Sequence, residues 1–308
     1  MKIYMGAGHR YPARNGGMAS DRLADLVAKG LAELGHQIFY ELLHGTSETL
    51  PDGIELVHER RYDVDVMYLQ RWQSPETRGI PWVITYHAPR KKNDRMLDHI
   101  RDNWIFVSES HARSFGRDRY VTNGVDPSEY IFLDTKGDYF LFIVASLQDL
   151  EVKGFEIARF LIRECGIKVA VAGALPPDES HDRYIRMFND LGVEYLGYVT
   201  GSRKAELFAK AKCLLFPTQQ NESFGLVVAE SLMSGTPVIC SDNGACAQIV
   251  MPDVGFVCST RADYISAVRD IDQISYRNCR IVALERFHYL RMARDYIREF
   301  EKEIALRQ

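Results

Sequence analysis

Short runs of apolar, strand-forming residues alternate with amphipathic helical segments along almost the whole 308-residue chain. This alternation is typical of a parallel β-sheet covered by helices, because parallel neighbours are joined by crossovers that are usually helical. The strand-like runs of the first half are KIYM, QIFYELL, VDVMYL, WVITY and NWIFV, and one helical stripe ending at Gly35 contains Met18, Leu23, Leu26, Val27, Leu31 and Leu34. The sequence therefore predicts the α/β class.

The same pattern restarts near residue 136. It predicts a first strand over DYFLFIVA, a helix over FEIARFLIREC, and further strands over KVAVA, VEYLGYV, CLLFP and PVIC. A chain of this length usually divides into two domains, so we expect two α/β units with the default ligand site in the cleft between them. The last segment, LERFHYLRMARDYIREFEKEIALRQ, is predicted to form one long amphipathic helix that packs across the domains.

Charge, hydropathy and cysteine usage exclude several classes of protein. The net charge of −4, without a basic excess, argues against nucleic acid as a partner. No apolar run approaches the roughly 18 residues of a membrane span, and Met1 leads at once into a strand-like run, so we expect a cytoplasmic protein. The six cysteines include no CxxC spacing, which favours buried free thiols over a zinc site or disulfides.

Two glutamates, Glu222 and Glu230, lie within FPTQQNESFGLVVAESLMSGTPVIC, residues 216–240. A polar loop before residue 224 and the Ser-Gly-Thr-Pro stop after it predict a helix over residues 224–234. The simplest interpretation makes both glutamates ordinary helix charges. The functional alternative starts from Gly225, which lets a ligand approach the N–H groups at the helix start. A phosphate there, with sugar hydroxyls bound by the carboxylates, suggests a nucleotide sugar.

The pair Glu222-x7-Glu230 within NESFGLVVAESLMSGTPVICSDNG resembles the EX7E segment of family 4 retaining glycosyltransferases of the GT-B fold. Weaker matches follow the family's order along the chain. They are Asn15-Gly16-Gly17, Leu34-Gly35-His36, His87, Val107-Ser108, Asn123-Gly124-Val125-Asp126, Lys153-Gly154, Ala172-Gly173 and Leu196-Gly197-Tyr198-Val199. The resemblance implies two tandem Rossmann-like domains with parallel sheets facing a cleft. Residues 1–136 would bind the acceptor, residues 137–285 the nucleotide sugar, and residues 286–308 would form a helix that crosses back onto the first domain.

The resemblance also implies site residues. Glu222 would contact the hydroxyls of the donor hexose, Lys153 its diphosphate, and His87 the donor sugar at the reaction centre. Glu230 would contact the nucleotide ribose. The implied donor-binding residues are Gly16, Gly17, Ser146, Tyr198, Val199, Ser223, Phe224, Gly225, Leu226 and Glu230, and the implied acceptor-binding residues are Arg14 and Arg90.

Two positions depart from the family's pattern. Family members usually carry a Gly-Arg pair after the first strand of the second domain, and this arginine helps the lysine to neutralise the diphosphate. Here Ser146 occupies the arginine position, and the loop to Lys153 is longer. Loss of that cation costs transition-state stabilisation unless Arg10 or Arg14 substitutes. Gln248 replaces a frequent glutamate and keeps hydrogen-bonding capacity without the charge.

We therefore expect a metal-independent retaining hexosyltransferase without a cofactor. Its donor would be a nucleotide diphosphate sugar, UDP- or GDP-linked, and its acceptor a glycan, a lipid-linked saccharide or a small molecule. One alternative is a catalytically impaired sugar-nucleotide-binding protein or partner subunit, which Ser146 motivates. A GT-B epimerase or phosphorylase is the other, and it differs in its product.

Three further motifs have competing interpretations. Asp63-Val64-Asp65 spells DxD, but its place at the start of a strand favours a loop-to-strand boundary over a metal site. Gly6-x-Gly8 followed by Glu41 resembles a dinucleotide fingerprint, although Tyr11 takes the third glycine's place. The basic run PRKKNDR, residues 89–95, is either a solvated loop or a contact with an anionic acceptor or the inner membrane surface. The oligomeric state is not predicted.

Overall fold

The computed structural model describes residues 1–6, 11–12, 19–42, 50–70, 76–90, 98–176 and 181–307. The chain divides into two compact units, which are called unit 1 and unit 2 below. Unit 1 comprises Met1–Asp126 and Arg286–Gln308, and unit 2 comprises Pro127–Glu285. Among the described helices, none combines the length and the apolar character that a membrane span requires.

Unit 1 contains one six-stranded parallel sheet in the order β3-β2-β1-β4-β5-β6. Its strands are β1 (Lys2–Gly6), β2 (Gln37–Glu41), β3 (Ile54–Val57), β4 (Val66–Leu69), β5 (Trp82–Tyr86) and β6 (Trp104–Phe106). Its helices are α1 (Ala19–Glu33), α2 (Glu109–Ser114) and, from the chain end, α10 (Tyr289–Ala305). The strand order reverses between β1 and β4, and ligands of open α/β sheets bind at the carboxyl ends beside such a point.

Unit 2 repeats this architecture with the strand order β12-β11-β10-β7-β8-β9. Its strands are β7 (Tyr139–Ser146), β8 (Lys168–Ala174), β9 (Glu194–Tyr195), β10 (Cys213–Phe216), β11 (Val238–Ser241) and β12 (Gly255–Cys258). Its helices are α3 (Phe155–Cys165), α4 (His181–Leu191), α5 (Gly201–Lys210), α6 (Leu226–Met233), α7 (Cys246–Ile249), α8 (Arg261–Asp270) and α9 (Tyr276–Phe287), of which the last two residues belong to unit 1. The two parallel sheets confirm the α/β class and the tandem organisation.

The structure corrects three strand predictions. It contains β3, with the sequence IELV, and β12, with the sequence GFVC, at places where no strand is predicted. Both are four-residue edge strands, too short to show a period-2 pattern clearly. Conversely, VEYLGYV forms a strand only at Glu194–Tyr195. Gly197 follows with a φ of 74°, a left-handed conformation that does not continue a strand.

The prediction of one long C-terminal helix is wrong, because the helix breaks at His288. This residue is extended (φ −69°, ψ 133°), and its side chain caps α10. The break pairs with the segment that follows α2: the N–H of Val125 donates to the carbonyl of Phe287 at 2.7 Å, and the N–H of Tyr289 donates to the carbonyl of Val125 at 3.1 Å. A Cβ on Gly124 would lie 2.8 Å from Tyr289 Cα, so this approach requires glycine.

Helix α10 packs on α1 within unit 1, which confirms that the C-terminal helix returns to the first domain. A Cβ on Gly30 of α1 would lie only 2.7 Å from the Cβ of Ala293, so the two helices approach closely. The Tyr289 hydroxyl donates to Glu33 Oε2 at 2.6 Å. On α10, a carboxylate oxygen of Glu299 and one of Glu303 each lie 2.5 Å from a guanidinium nitrogen of Arg119.

Residues 127–136 belong to unit 2, whereas the sequence places the domain boundary at 136/137. Their polar side chains bond to unit 2 helices. The Tyr130 hydroxyl donates to Glu230 of α6 at 2.9 Å. The Lys136 ammonium donates to the carbonyls of Ala209 and Ser234 at 2.8 and 2.9 Å, which are C-terminal helix carbonyls that attract cations.

Candidate functional site

Lys153 and Glu222 meet at the carboxyl edge of the unit 2 sheet. Lys153 follows β7 and Glu222 follows β10, and these adjacent strands flank the reversal of strand order. Lys153 Nζ lies 2.7 Å from Glu222 Oε2, and the two side chains are 23% and 18% exposed. The structure thus joins two of the three predicted catalytic residues in one partly buried ion pair, at the place where parallel sheets bind ligands.

Two glycines determine where this ion pair lies. Gly154 has a φ of 81°, and a Cβ there would lie 2.0 Å from the carbonyl oxygen of Pro217, so the loops after β7 and β10 touch through their backbones. Gly244, after β11, approaches the Glu222 backbone so closely that a Cβ would lie 2.3 Å from its nitrogen and oxygen. The next N–H, of Ala245, donates to the Glu222 carbonyl at 2.9 Å. These contacts fix the backbone on both sides of the ion pair.

Helix α6 begins at Leu226, two residues later than predicted, because Gly225 is its N-cap in a left-handed conformation (φ 89°, ψ 65°). Ser223 and Phe224, before the cap, are buried. Helix starts carry N–H groups without intrahelical partners, and these groups favour anions. The phosphate and sugar contacts of residues 223–226 stay predictions.

Glu230 is buried, with 2% of its surface exposed, so its interpretation as a solvated helix charge is wrong. The hydroxyl of Tyr130 donates to its Oε1 at 2.9 Å, and Lys204 Nζ from α5 lies 2.6 Å from its Oε2. Neither partner is predicted from the sequence. One signal was present, because Lys204 is four residues before the buried Phe208 and so shares its helix face. The ribose contact of Glu230 stays a prediction.

Ser146 ends β7 and acts as a cap. Its Oγ accepts the N–H of Gln148 at 3.2 Å and begins the 3-10 turn Leu147–Asp149. A neutral hydroxyl thus occupies the position at which the family's arginine would place a charge. Lys153 is the one basic residue in the sequence of this loop, residues 146–154.

The Gly-Tyr-Val segment lies beyond β9. The N–H of Gly173 donates to the carbonyl of Gly197 at 3.0 Å, and the Tyr195 hydroxyl donates to the Gly173 carbonyl at 2.8 Å. This contact joins two of the matched motifs. The following Tyr198 is 58% exposed, whereas Val199 is buried. An exposed aromatic ring is available for stacking, and the donor contacts of Tyr198 and Val199 stay predictions.

His87 and Gln70 follow β5 and β4 of unit 1, at the carboxyl edge of that sheet. His87 Nε2 lies 3.1 Å from Gln70 Oε1. Burial, together with the nearby His111, lowers the pKa of His87 to about 4. The imidazole is therefore neutral near pH 7, and it can exchange hydrogen bonds with a hydroxyl without carrying charge.

His111 is a structural histidine of α2. Its Nε2 donates to the carbonyl of Ala88 at 2.9 Å, and its Nδ1 accepts the N–H of Val107 at 3.4 Å. Ser108, from the matched Val-Ser motif, caps α2 by accepting the N–H of His111 at 3.0 Å. Arg90 is exposed and donates to the Ser114 carbonyl, and its acceptor contact stays a prediction.

Several predicted residues lie outside the described residues. They are Arg10, Arg14, Gly16, Gly17 and most of the basic run. Within the described ranges, no group of three or more His, Cys, Asp or Glu side chains has the geometry of a metal site. Asp63 of the DxD motif is paired with Arg61 at 2.9 Å, and Asp65 accepts the N–H of Lys2 at 2.7 Å.

All six cysteines are free thiols and five of them are buried, as the sequence predicts.

Residues 157–278 match the model of a protein family described as glycosyl transferases group 1. A probable transglycosylase of Burkholderia thailandensis is 32% identical over 108 residues, which are 35% of this chain and 26% of that protein. The matched segment thus spans about a quarter of the length of that relative.

Solved structures match nearly the whole chain. The glycosyltransferase AviGT4 of avilamycin A biosynthesis has a TM-score of 0.79 at 22% identity, with 99% of this chain and 98% of that chain covered. Sucrose-phosphate synthase from Thermosynechococcus elongatus has a TM-score of 0.77 at 14% identity, with coverages of 99% and 100%. HepE of Anabaena, in complex with UDP, has a TM-score of 0.74 at 14% identity, with coverages of 98% and 100%. This chain therefore has the GT-B fold, and residues 157–278, within unit 2, match the glycosyl transferases group 1 family.

Proposed function

We propose that the protein is a retaining glycosyltransferase that moves a hexose from a nucleotide diphosphate sugar to an acceptor. The observation that carries this proposal is the ion pair between Lys153 and Glu222, at the reversal point of the unit 2 sheet. Its two charges suit the two parts of such a donor. The ammonium attracts a diphosphate, and the carboxylate accepts hydrogen bonds from sugar hydroxyls.

The comparisons support a nucleotide sugar as the ligand class. Solved structures of HepE contain UDP, UDP with glucose, and UDP-glucose. The family match covers the segment from α3 through most of unit 2, which includes Glu222. A UDP-linked hexose is accordingly the first donor to test, with GDP and ADP sugars beside it.

In the proposed reaction, binding of the donor replaces the contact between Lys153 and Glu222. The diphosphate takes over the Lys153 ammonium, and Glu222 is released to accept hydroxyls of the hexose. The acceptor oxygen then forms a bond to the anomeric carbon on the face from which the diphosphate leaves, while the carbon–oxygen bond to phosphate breaks. A donor phosphate oxygen takes the acceptor proton. Lys153 and the start of α6 stabilise the charge that develops on the diphosphate.

Ser146 favours a second candidate, a sugar-nucleotide-binding protein without transferase activity. Its hydroxyl caps a turn and supplies no positive charge for the leaving group. The two candidates predict the same binding and differ in turnover.

Turnover with a panel of acceptors separates these candidates. The protein is incubated with UDP-, GDP- and ADP-glucose, and release of nucleotide and the anomeric configuration of the product are followed by NMR. We expect one nucleotide to be released, and the product to keep the donor's anomeric configuration. Inversion would refute the retaining mechanism. Binding without any release, by hydrolysis or by transfer, would establish the second candidate instead.

Two variants connect this activity to the ion pair. Lys153→Met and Glu222→Gln should each reduce turnover by at least about tenfold, because each removes a charge-assisted contact to the donor. Lys210→Met, at an exposed pair with Glu206 on α5, is the control and should retain full activity. Unchanged turnover in both site variants would contradict the placement of the donor at this pair.

A further inference from the structure

A continuous chain of hydrogen bonds leads from His87 into the interior of unit 1. His87 Nε2 bonds to Gln70 Oε1 at 3.1 Å, and the side-chain amide nitrogen of Gln70 donates to the hydroxyl of Tyr68. The hydroxyl of Thr85 donates to the same Tyr68 oxygen at 3.1 Å. Thr85 Oγ1 also lies 2.9 Å from the hydroxyl of Tyr296 on α10. These last three residues are buried, so the chain is anchored in the core.

The donor of each bond follows from the orientation of the Gln70 amide, whose NH2 group faces the Tyr68 oxygen, and from the single proton of the Thr85 hydroxyl. The Thr85 hydroxyl has one proton, which it donates to Tyr68, so the contact with Tyr296 requires that Tyr296 donates. Gln70 directs its NH2 group to the Tyr68 oxygen and therefore presents its carbonyl oxygen to His87. A carbonyl oxygen only accepts, so the proton of the neutral imidazole is on Nε2. Nδ1 then carries the lone pair.

We infer that Gln70 is a positioning residue that holds His87 in the Nε2–H tautomer, so that Nδ1 is the atom that accepts a hydrogen bond from a sugar hydroxyl at the carboxyl edge of the unit 1 sheet. The sugar as the partner rests on the proposed function, whereas the tautomer rests on unit 1 alone. Within the described part of the chain, Nδ1 makes no hydrogen bond, so this acceptor is available. The low pKa of His87, caused by burial and by the nearby His111, keeps the ring neutral at pH 7.

The C-terminal helix takes part in this arrangement. Tyr296 of α10 completes the chain through Thr85, and its ring packs on that of Tyr68 with 5.0 Å between the centroids. Phe300, one turn later, packs on the same Tyr68 ring at 5.8 Å. Helix α10 thereby orients the Tyr68 hydroxyl, to which the side chain of Gln70 is bonded. The packing of α10 on unit 1 therefore affects the orientation of Gln70, which bonds His87 at the carboxyl edge of the sheet.

The tautomer is measured directly by long-range 1H–15N NMR on protein labelled with 15N-histidine, near pH 7.5, with a His87→Gln variant to assign the signals. We expect the Nε2–H pattern for His87 in the wild type. Gln70→Met, which keeps the side-chain length and removes the acceptor, should shift His87 toward a mixture of tautomers. Gln70→Glu keeps an acceptor oxygen and should restore the single pattern.

His111 is the internal control for this experiment. Its contacts with Ala88 and Val107 fix the same Nε2–H tautomer without Gln70, so its signals should be equal in all variants. An Nδ1–H pattern for His87 in the wild type would overturn the inference. Unchanged His87 signals in Gln70→Met would also overturn it, because the tautomer would then be set by another group.

A binding experiment tests the sugar contact separately. Affinities for UDP and UDP-glucose are measured by calorimetry, with GDP- or ADP-linked pairs in their place if the wild type selects those. Gln70→Met should weaken the sugar nucleotide about tenfold and leave the nucleotide alone unchanged, as expected for one lost hydrogen bond. Equal weakening of both ligands, or of neither, would refute the sugar contact. Absence of binding by the wild type would count against the proposed function, and the NMR result would still decide the tautomer.

Discussion

The buried carboxylate of Glu230 should depend strongly on the ammonium of Lys204. Glu230 is 2% exposed; Lys204 Nζ lies 2.6 Å from its Oε2 in an ion pair, and the Tyr130 hydroxyl donates to its Oε1 at 2.9 Å. Lys204→Met keeps the apolar stem of the side chain and removes the charge. The buried carboxylate then loses its cationic partner. Breaking a buried ion pair by removing one partner costs about 3–5 kcal/mol.

The lower end of this range applies here, because the Lys204 side chain is 17% exposed and water can reach it. A loss of about 3 kcal/mol corresponds to a fall of roughly 6–12 °C in the melting temperature of a unit of this size. Urea unfolding and thermal melting, followed by circular dichroism, measure both quantities. The double variant Lys204→Met with Glu230→Gln should recover part of the loss, since no unpaired charge remains buried.

Lys210→Met on the same helix is the matched control, because its partner Glu206 is exposed and 3.5 Å away. It should change the free energy of unfolding by less than about 0.5 kcal/mol. If Lys204→Met is as mild as this control, Glu230 is solvated and its pairing with Lys204 contributes nothing. If the double variant is as unstable as the sum of its single variants, the two side chains are not coupled.

Three further predictions concern backbone geometry and pH. Gly154→Ala should cost about 3 kcal/mol in urea unfolding because its Cβ would lie 2.0 Å from a carbonyl, whereas Gly192→Ala, with φ of 66° and open space, should cost about 1 kcal/mol. Burial lowers the pKa of Lys136 to about 8, so the unfolded chain binds the proton more tightly between pH 8 and 10.5. The urea midpoint of the wild type, measured against Lys136→Met, should therefore rise with pH across that window, and a flat difference would contradict this. Burial also lowers the pKa of His111 to about 4, so the unfolded chain binds this proton more tightly between pH 6.5 and 4. The free energy of unfolding should therefore fall as the pH falls through that window, and His111→Gln should reduce the fall.

The parts of the fold that depend on local patterns were predictable from the sequence. The apolar stripe of FEIARFLIREC predicts α3 with the bounds that the structure has, Phe155–Cys165. The turn at Gly35 ends α1 and leads into β2. Interactions between distant segments were not predictable in this way. The break at His288 depends on a backbone pairing with Val125, and no helical periodicity reports such a partner.

The same distinction applies to the candidate site. The spacing of Glu222 and Glu230 identifies the segment, and the structure adds what each carboxylate touches. Lys153 is 69 residues from Glu222 in sequence, and only the adjacency of β7 and β10 brings them together. Glu230 is buried in an ion pair with Lys204. Both are residue types that are usually exposed, so a buried pair is not expected from the sequence. Gln70 belongs to none of the sequence motifs and is therefore not predicted. Its contact with His87 follows from the adjacency of β4 and β5.

We propose that the Lys153–Glu222 pair of unit 2 binds a nucleotide diphosphate sugar. Calorimetric titration of the folded protein with UDP-, GDP- and ADP-glucose tests it most directly. We predict that one of the three binds the wild type, and that Lys153→Met weakens this ligand by about 10- to 100-fold, because a charge-assisted contact to the diphosphate is lost. Absence of binding by all three sugar nucleotides, or equal affinities of wild type and Lys153→Met, would contradict the claim.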